Sequence, residues 1–499
     1  MKQILLFGAG KSSSVLIEYL KKITSENQWT AIVADNNLYA AQEKTGNHPL
    51  VTPIEINIHD DVARKNLVQK ADVVISLMPP ALHYLVAKEC VAEKKHLITA
   101  SYIDDNIRQL EKDIVKNDLL FLCEMGLDPG IDHMSAMQLI HRIKNNGARI
   151  TSFKSHCGGL VAPESDDNPW HYKISWNPRN VILAGKAGAE YREDNKAVHL
   201  GYETLFDSER LVHVPGLQDF AYYPNRDSLS YIPLYHLDEA NTFVRTTLRH
   251  PDFCLGWKNI VDLQLTNEEK IYDTNGMTIA AFFKNHFEKH GFGEWLKNML
   301  SSRIDFARDL MEKLMMLVQQ DEQLPDVADV ANDMMLVDQH GQLNTVTTDN
   351  VKTMAAEKIA RQMHEANVSM NQLFFIGLED QSLINKDTCS AADIMQMILE
   401  KKLALQSDDK DLVVMMHEIE YEKDRKKSVI KSVLAVKGDN NRFTAMAKTV
   451  GLPLGIAANL ILKNKIPARG LHIPVIESIY DPVLSELRLN GIAFEEYES

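Results

Sequence analysis

The sequence predicts an α/β protein: a domain with a doubly wound parallel sheet, joined to a second domain with a mixed sheet. Three observations predict it. An apolar run breaks at Gly8–Ala9–Gly10 and resumes as a helical pattern over Ser14–Leu20. Short apolar runs then alternate with amphipathic stretches as far as Leu122, as consecutive βαβ units do. From about Ile150 the runs lengthen and mix with loops rich in Pro, Asn and Tyr, the texture of a mixed sheet.

The first element, Leu5–Ser14 (LLFGAGKSSS), reads as strand, glycine turn and helix start. Bare backbone there lets a pyrophosphate approach the free N–H groups of the helix, so a nicotinamide dinucleotide is the expected guest. Gly8, Gly10, Lys11, Ser12 and Ser13 would line that site. The fingerprint is incomplete, because Ser13 stands at the third glycine position. A plain strand-to-helix turn is the competing reading. Gly10–Lys11–Ser12 also matches the end of a triphosphatase phosphate loop, but that loop needs glycine where Leu5 stands, inside the strand.

The next strand, Thr30–Ala34, ends at Asp35, about 20 residues or slightly more past the glycines. A carboxylate there accepts hydrogen bonds from ribose hydroxyls and repels a 2′-phosphate. Asn36 and Asn37 supply no cation to offset it, so NAD is expected over NADP. A solvated turn aspartate is the alternative. Ala71–Leu77 reads as a strand running into Met78–Pro79–Pro80, followed by a helix over Ala81–Lys94. His96–Ala100 and Leu119–Leu122 read as strands around a helix at Ile103–Lys116. Leu77–Pro79, Ser101–Tyr102 and Glu124–Gly126 then fall at carboxyl ends of strands, facing the crevice.

Beyond it, Ile150–Leu160, Val181–Ala184 and Thr242–Leu248 are expected as strands, and Ile279–Gln319 as helix. Leu324–Thr348 reads as a polar connection, Val351–Ala366 as helix, Gln372–Leu378 as strand and Ser390–Leu405 as helix. Lys410–Tyr421 and Ser428–Lys437 read as an antiparallel pair, and Arg442–Lys465 as a helix-rich tail.

Of 499 residues, 54 are basic and 69 acidic, a net charge of −15. That argues against nucleic acid or an anionic membrane as partner. The five cysteines (Cys90, Cys123, Cys157, Cys254, Cys389) form no C-x-x-C pair, so reduced thiols in a cytoplasm are expected, with no disulfide framework or zinc site. The apolar stretch after Lys2 runs straight into Lys11 and reads as a strand rather than a signal peptide. Val450–Leu462 contains Pro453 and Asn459 and is too short to cross a bilayer. No H-e-x-x-h pattern or comparable ligand set points to a metal.

Four segments carry a family pattern: Glu124–His133 (EMGLDPGIDH), Cys157–Trp176 (CGGLVAPESDDNPWHYKISW), Tyr223–Ser228 (YPNRDS) and Thr444–Pro453 (TAMAKTVGLP). Together they resemble saccharopine reductase, the glutamate-forming saccharopine dehydrogenase, over essentially the whole chain. The resemblance implies a homodimeric oxidoreductase of lysine metabolism, built as a variant Rossmann domain over residues 1–125, completed by the tail at about 438–499, and a mixed-sheet α/β substrate and dimerisation domain over 126–437 with a helical insertion at 256–350. It would interconvert saccharopine with L-glutamate and 2-aminoadipate 6-semialdehyde, using NAD or NADP. It also implies that Ser101, Tyr102, Asp128, Trp176, Arg226, Thr247 and Arg249 contact saccharopine. Gly10–Ser13, Asp35–Asn37, Asn57, Ile58, Ser76, Leu77, Met78, Pro79, Leu127, Pro129 and Asn177 fall on cofactor positions. NADP-using members carry arginine where Asn36 stands, which agrees with the reading of Asp35. The family commonly has tyrosine where His156 stands and another residue in place of Pro80.

The residues support a tricarboxylate substrate on their own chemistry. Planar guanidinium forks suit carboxylates, and Tyr222–His250 carries Arg226, Arg245 and Arg249. Period two puts Arg245, Thr247 and Arg249 on one face of the expected strand, opposite Val244, Thr246 and Leu248. A solvent-facing strand and a turn salt bridge to Asp227 are the bland alternatives. Hydride loss from a carbon next to the nitrogen needs a deprotonated amine, so a general base is desirable. Asp128, Tyr102, Cys157 and His156 are the candidates, although Asp128–Pro129–Gly130 is also an ordinary turn sequence, and orientation alone could supply much of the rate. NAD-linked saccharopine oxidation leads. The alternatives are an NADP-linked reductase of lysine biosynthesis, a carboxynorspermidine-type amine-condensing dehydrogenase, and a catalytically silent nucleotide sensor.

Overall fold

A computed structural model of the chain describes residues 1–294, 308, 334–337, 343–346 and 348–498. They form two compact units, residues 1–251 with 403–499, and residues 252–402. The boundary expected near residue 125 lies inside the first unit.

The first unit opens with six short strands whose side chains are mostly apolar and, except in the edge strand Val51–Glu55, mostly buried, as a sheet covered on both faces requires. Their order is Val51–Glu55, Thr30–Asp35, Gln3–Phe7, Val73–Ser76, His96–Thr99, Leu120–Leu122. All pair in parallel. The order reverses at Gln3–Phe7, so the crevice opens at the carboxyl end of that strand, beside the glycine turn. A seventh strand, Gly470–His472, comes from the tail and pairs in parallel with Leu120–Leu122.

The tail also supplies the helix Ala445–Leu462, which packs against Ser14–Asn27 and the sheet. Thr444 Oγ1 accepts from Ala447 N–H, and the carboxylate of Asp411 accepts from Ala445 and Met446 N–H, so its start is capped twice. A Cβ at Gly455 would lie 2.7 Å from a Tyr19 ring carbon, and one at Gly451 only 3.0 Å from Leu16 N. Those two glycines set the spacing of the helices. The helix is longer than the expected Val450–Leu462 stretch: its 18 residues are long and apolar enough to cross a membrane, but 89% of it is buried inside the fold. It is a core helix.

Because this helix covers one sheet face, a fragment of residues 1–125 is expected to unfold without cooperativity and to bind no dinucleotide. Calorimetry and NADH titration of the fragment check this. A sharp unfolding transition together with NADH binding would contradict it.

The second sheet of this unit runs Leu211–His213, Asp219–Pro224, Thr242–Arg249, Arg149–Val161, Asp411–Lys423, Lys426–Lys437, Glu495–Glu498, with three short strands beside it. Thr242–Arg249 lies parallel to Arg149–Val161, with Thr247 opposite Cys157. The expected hairpin pairs over Lys423–Lys426 outward. Val181–Ala184 is not a strand. Asn177 Oδ1 caps a short helix, Pro178–Ile182, by accepting from Arg179 N–H, and Pro178 presets its first turn. The helix expected at Ile103–Lys116 is two, Asp105–Gln109 and Glu111–Lys116.

In the second unit, helices Ile279–His290, Thr348–Ile376 and Ala391–Lys402 accompany a strand pair, Lys270–Asp273 with Thr388–Ser390. Gln372–Leu378, expected as strand, is instead the end of the long helix, which runs to Ile376, and the turn after it, since a short apolar run looks alike in both structures. Within Leu324–Thr348, expected as a connection, Met334–Val337 pairs antiparallel with Leu343–Val346. The rest of that stretch, and most of the helical pattern after residue 294, lie outside the described residues.

Candidate functional site

The glycine turn, the carboxyl ends of the parallel strands and interior strands of the second sheet line a cleft of about 1400 Å³. Every lining residue belongs to the first unit. Small-molecule sites commonly occupy about 300–1,000 Å³, so this one has room for a dinucleotide and a second ligand.

Of the residues expected at the cofactor, Gly8, Gly10, Lys11, Ser12, Ser13, Asp35, Asn36, Asn57, Ile58, Leu77, Met78, Pro79, Leu127, Pro129 and Asn177 all line the cleft. A Cβ at Gly10 would meet no atom within 4 Å. Packing does not demand glycine there, whereas a pyrophosphate lying on the turn would. Asp35 closes the turn from the neighbouring strand: Oδ2 accepts from Ala9 N–H at 2.6 Å and Oδ1 from Asn37 N–H at 2.8 Å. Asn37 and Ser76 are absent from the lining. Asn37 faces its own helix and caps it through Ala40 N–H, and Ser76 is buried 2.8 Å from His83 Nδ1.

His83 carries no signal in the sequence, because its partners, 7 and 18 residues away, follow no motif spacing. Its Nε2 lies 2.7 Å from Ser101 Oγ, so one buried imidazole joins Ser76 to Ser101 in the cleft wall. Burial pushes its pKa down to about 4, partly offset by Asp104, so it stands neutral at pH 7.

At the other end, Ser101, Tyr102, Asp128, Trp176, Arg226, Thr247 and Arg249 share the lining. Arg226 is exposed to the cleft at φ +48°, with its guanidinium 5.4 Å from the centre of the Tyr102 ring. Arg249 is buried: Nη1 donates to Leu248 O at 2.8 Å, and the guanidinium lies 5.2 Å from the centre of the Tyr172 ring. Tyr172 OH in turn accepts from Trp176 Nε1 at 3.0 Å, so indole and guanidinium are held through one phenol.

Arg245 departs from the expectation. It shares the strand face with Thr247 and Arg249 but is missing from the lining, because its Nη2 donates to Asp128 Oδ1 at 2.6 Å and to Asp132 Oδ2 at 2.7 Å. A guanidinium committed to two carboxylates is a support for Asp128, not a ligand for substrate. The carboxylates separate in pKa. Burial pushes Asp128 up to about 6, and Asp132 adds to this against the pull of Arg245. Asp132 is held low despite burial, because His133 and Arg245 face it and Gly130 N–H donates to it at 2.6 Å.

Below them His133 Nε2 lies 2.9 Å from Glu124 Oε2, and Nδ1 lies 2.6 Å from Tyr235 OH. Tyr231 OH donates to the same Glu124 oxygen at 3.2 Å. Glu124, Asp132 and His133 stand in the EMGLDPGIDH segment, but spacing alone does not reveal that they form a buried floor.

The three other candidates for the base lie in surroundings that make them poor proton acceptors. Burial pushes the Cys157 thiol well above its ordinary range, with Asp128 and Asp132 adding to it, and burial likewise raises the Tyr102 phenol. His156 is buried with Nδ1 2.7 Å from Thr246 Oγ1, lies outside the lining, and is pushed down to about 3 by burial.

Two family models match the chain: the saccharopine dehydrogenase NADP binding domain over residues 4–122, and the saccharopine dehydrogenase C-terminal domain over 126–492. The chain belongs to the saccharopine dehydrogenase family. It is 31% identical to alpha-aminoadipic semialdehyde synthase, mitochondrial, of Bos taurus over 99% of this chain and 47% of that protein. It spans about half the length of such synthases. It is 29% identical to saccharopine dehydrogenase [NADP(+), L-glutamate-forming] of Pyricularia oryzae, over 98% of this chain and 96% of that one. The solved structure of apo saccharopine dehydrogenase (L-Glu forming) from Saccharomyces cerevisiae is 27% identical, with a TM-score of 0.76 over 100% of both chains. The α/β architecture with a parallel and a mixed sheet is the family's.

Proposed function

We propose that this chain oxidises saccharopine to L-glutamate and 2-aminoadipate 6-semialdehyde with NAD. The observation that carries this reading is one cleft that joins the glycine turn to the Arg226, Thr247 and Arg249 wall. A dinucleotide bound along the turn would supply the hydride acceptor. Arg226 offers a planar fork to one substrate carboxylate, and Arg249 with Thr247 offers donors to another. Asp128, pushed up to about 6, is deprotonated at pH 7 and can take the proton of the secondary amine. With the amine lone pair free, hydride loss from the nitrogen-bearing CH2 on the aminoadipate side gives an imine to that carbon, so that the nitrogen stays with glutamate. Water adds to it, and collapse releases the two products.

For the cofactor, the choice of NAD rests on Asp35, which lines the cleft beside Asn36. A 2′-phosphate there would meet a carboxylate. The relatives named for NADP(+) favour the phosphorylated dinucleotide instead. Steady-state assays with saccharopine and each dinucleotide distinguish the two: kcat/KM is expected to be higher with NAD, and Asp35→Ala combined with Asn36→Arg is expected to shift preference toward NADP. Equal or better turnover of NADP by the unmodified protein would reject the NAD reading.

A further inference from the structure

We propose that Lys44 is a positioning residue for the dinucleotide: its ammonium holds the glycine turn from behind and places a positive charge beneath the bound pyrophosphate. The inference rests on the reading of this cleft as a dinucleotide site, and it concerns a residue outside the cleft lining.

Lys44 stands in the last turn of the helix Leu38–Thr45. Its Nζ donates to Ala9 O at 2.8 Å, to Gly10 O, and to Ser13 Oγ at 3.1 Å. Those are two carbonyls of the glycine turn and the serine that replaces the third glycine of the fingerprint. Ser13 Oγ also donates to Gly10 O at 2.8 Å. A peptide's N–H and C=O point in opposite directions, so a cation that gathers the turn's carbonyls on one side fixes where its N–H groups face. A turn containing two glycines has backbone freedom to lose, and this clamp removes it before the ligand arrives.

The lysine is itself held. Arg442, from the loop before the core helix, donates through Nη2 to Glu43 O at 3.1 Å and faces Glu43 Oε1 at 3.4 Å. The neighbouring backbone is thereby tied to the tail. The charged groups facing Lys44 are Glu43 on its own helix, Arg442 from the tail loop and Asp35 at the end of its strand. Burial is the largest influence on it and moves its pKa down to about 8, with Glu43 and Asp35 opposing and Arg442 assisting. The protonated form clamps the turn and attracts phosphate, so deprotonation above about pH 8 should weaken binding.

The test measures NADH affinity by fluorescence between about pH 6 and pH 10 for the unmodified protein, Lys44→Met and Lys44→Arg. The unmodified protein is expected to lose affinity as pH rises through 8. Lys44→Met should bind NADH about tenfold more weakly at neutral pH and show no such loss, whereas Lys44→Arg should bind tightly without the loss near pH 8. ADP should follow NADH across the variants, while adenosine, lacking phosphate, should bind all three alike. NADH binding by Lys44→Met equal to the unmodified protein's would overturn the inference, and so would the same pH profile in Lys44→Arg. Equal weakening of ADP and adenosine would mean a structural role only. Failure of the unmodified protein to bind NADH or NADPH would instead reject the dinucleotide reading itself.

Discussion

Arg226→Ala is expected to lower kcat/KM for saccharopine by the equivalent of about 2–5 kcal/mol while leaving NADH affinity nearly unchanged. The size follows from what is left behind. A substrate carboxylate drawn into the cleft would keep its charge and lose its bidentate partner. Arg226 faces the cleft over Tyr102, and among the described residues no side-chain hydrogen bond or ion pair engages its guanidinium. It is therefore poised for a ligand rather than for the fold, and the variant should melt with the unmodified protein. Lys at this position should rescue only in part, because an ammonium cannot make the paired contact. Unchanged kcat/KM in the alanine variant would remove Arg226 from the substrate site.

Asp128→Asn carries the other large effect, a loss in kcat of about 10²–10⁴-fold if its carboxylate takes the amine proton. The pH profile gives the sign. With a pKa near 6, Asp128 is protonated and unable to accept a proton at lower pH, so oxidation should fall as pH drops through about 6. The asparagine variant should lose that limb and keep a low, flatter rate. Retention of the limb in the variant would place the proton acceptor elsewhere. Asp132→Asn sharpens the point: with one carboxylate removed, Arg245 serves Asp128 alone, and the acidic limb should move to lower pH.

Much of this site is legible in the amino-acid sequence. The strand–turn–helix at Gly8–Ser14 is readable because an apolar run, two glycines and a helical pattern lie within a few residues of one another. Thr247 and Arg249 are readable because a strand alternates faces, and that rule also places Arg245 on the correct face. It cannot tell that Asp128 and Asp132 rise to meet Arg245, since those carboxylates lie more than a hundred residues away. His83, Glu124, His133 and Lys44 share this property: each is defined by partners brought together by the fold. Asn37 and Ser76 fail on a smaller scale. Both stand beside cleft residues, but a helix cap and a buried imidazole turn them away from it. The helix at Pro178–Ile182 hides behind an apolar run that outweighs the Asn–Pro start capping it.

The central claim is that one cleft oxidises saccharopine at a dinucleotide bound on the glycine turn. Incubating the protein with saccharopine and either dinucleotide, while following nicotinamide absorbance and quantifying L-glutamate and the semialdehyde, tests it most directly. The account predicts saccharopine-dependent reduction, faster with NAD, with glutamate and semialdehyde formed in equal amounts to the reduced dinucleotide. Binding of NADH or NADPH with no saccharopine-dependent reduction of either NAD or NADP would contradict it.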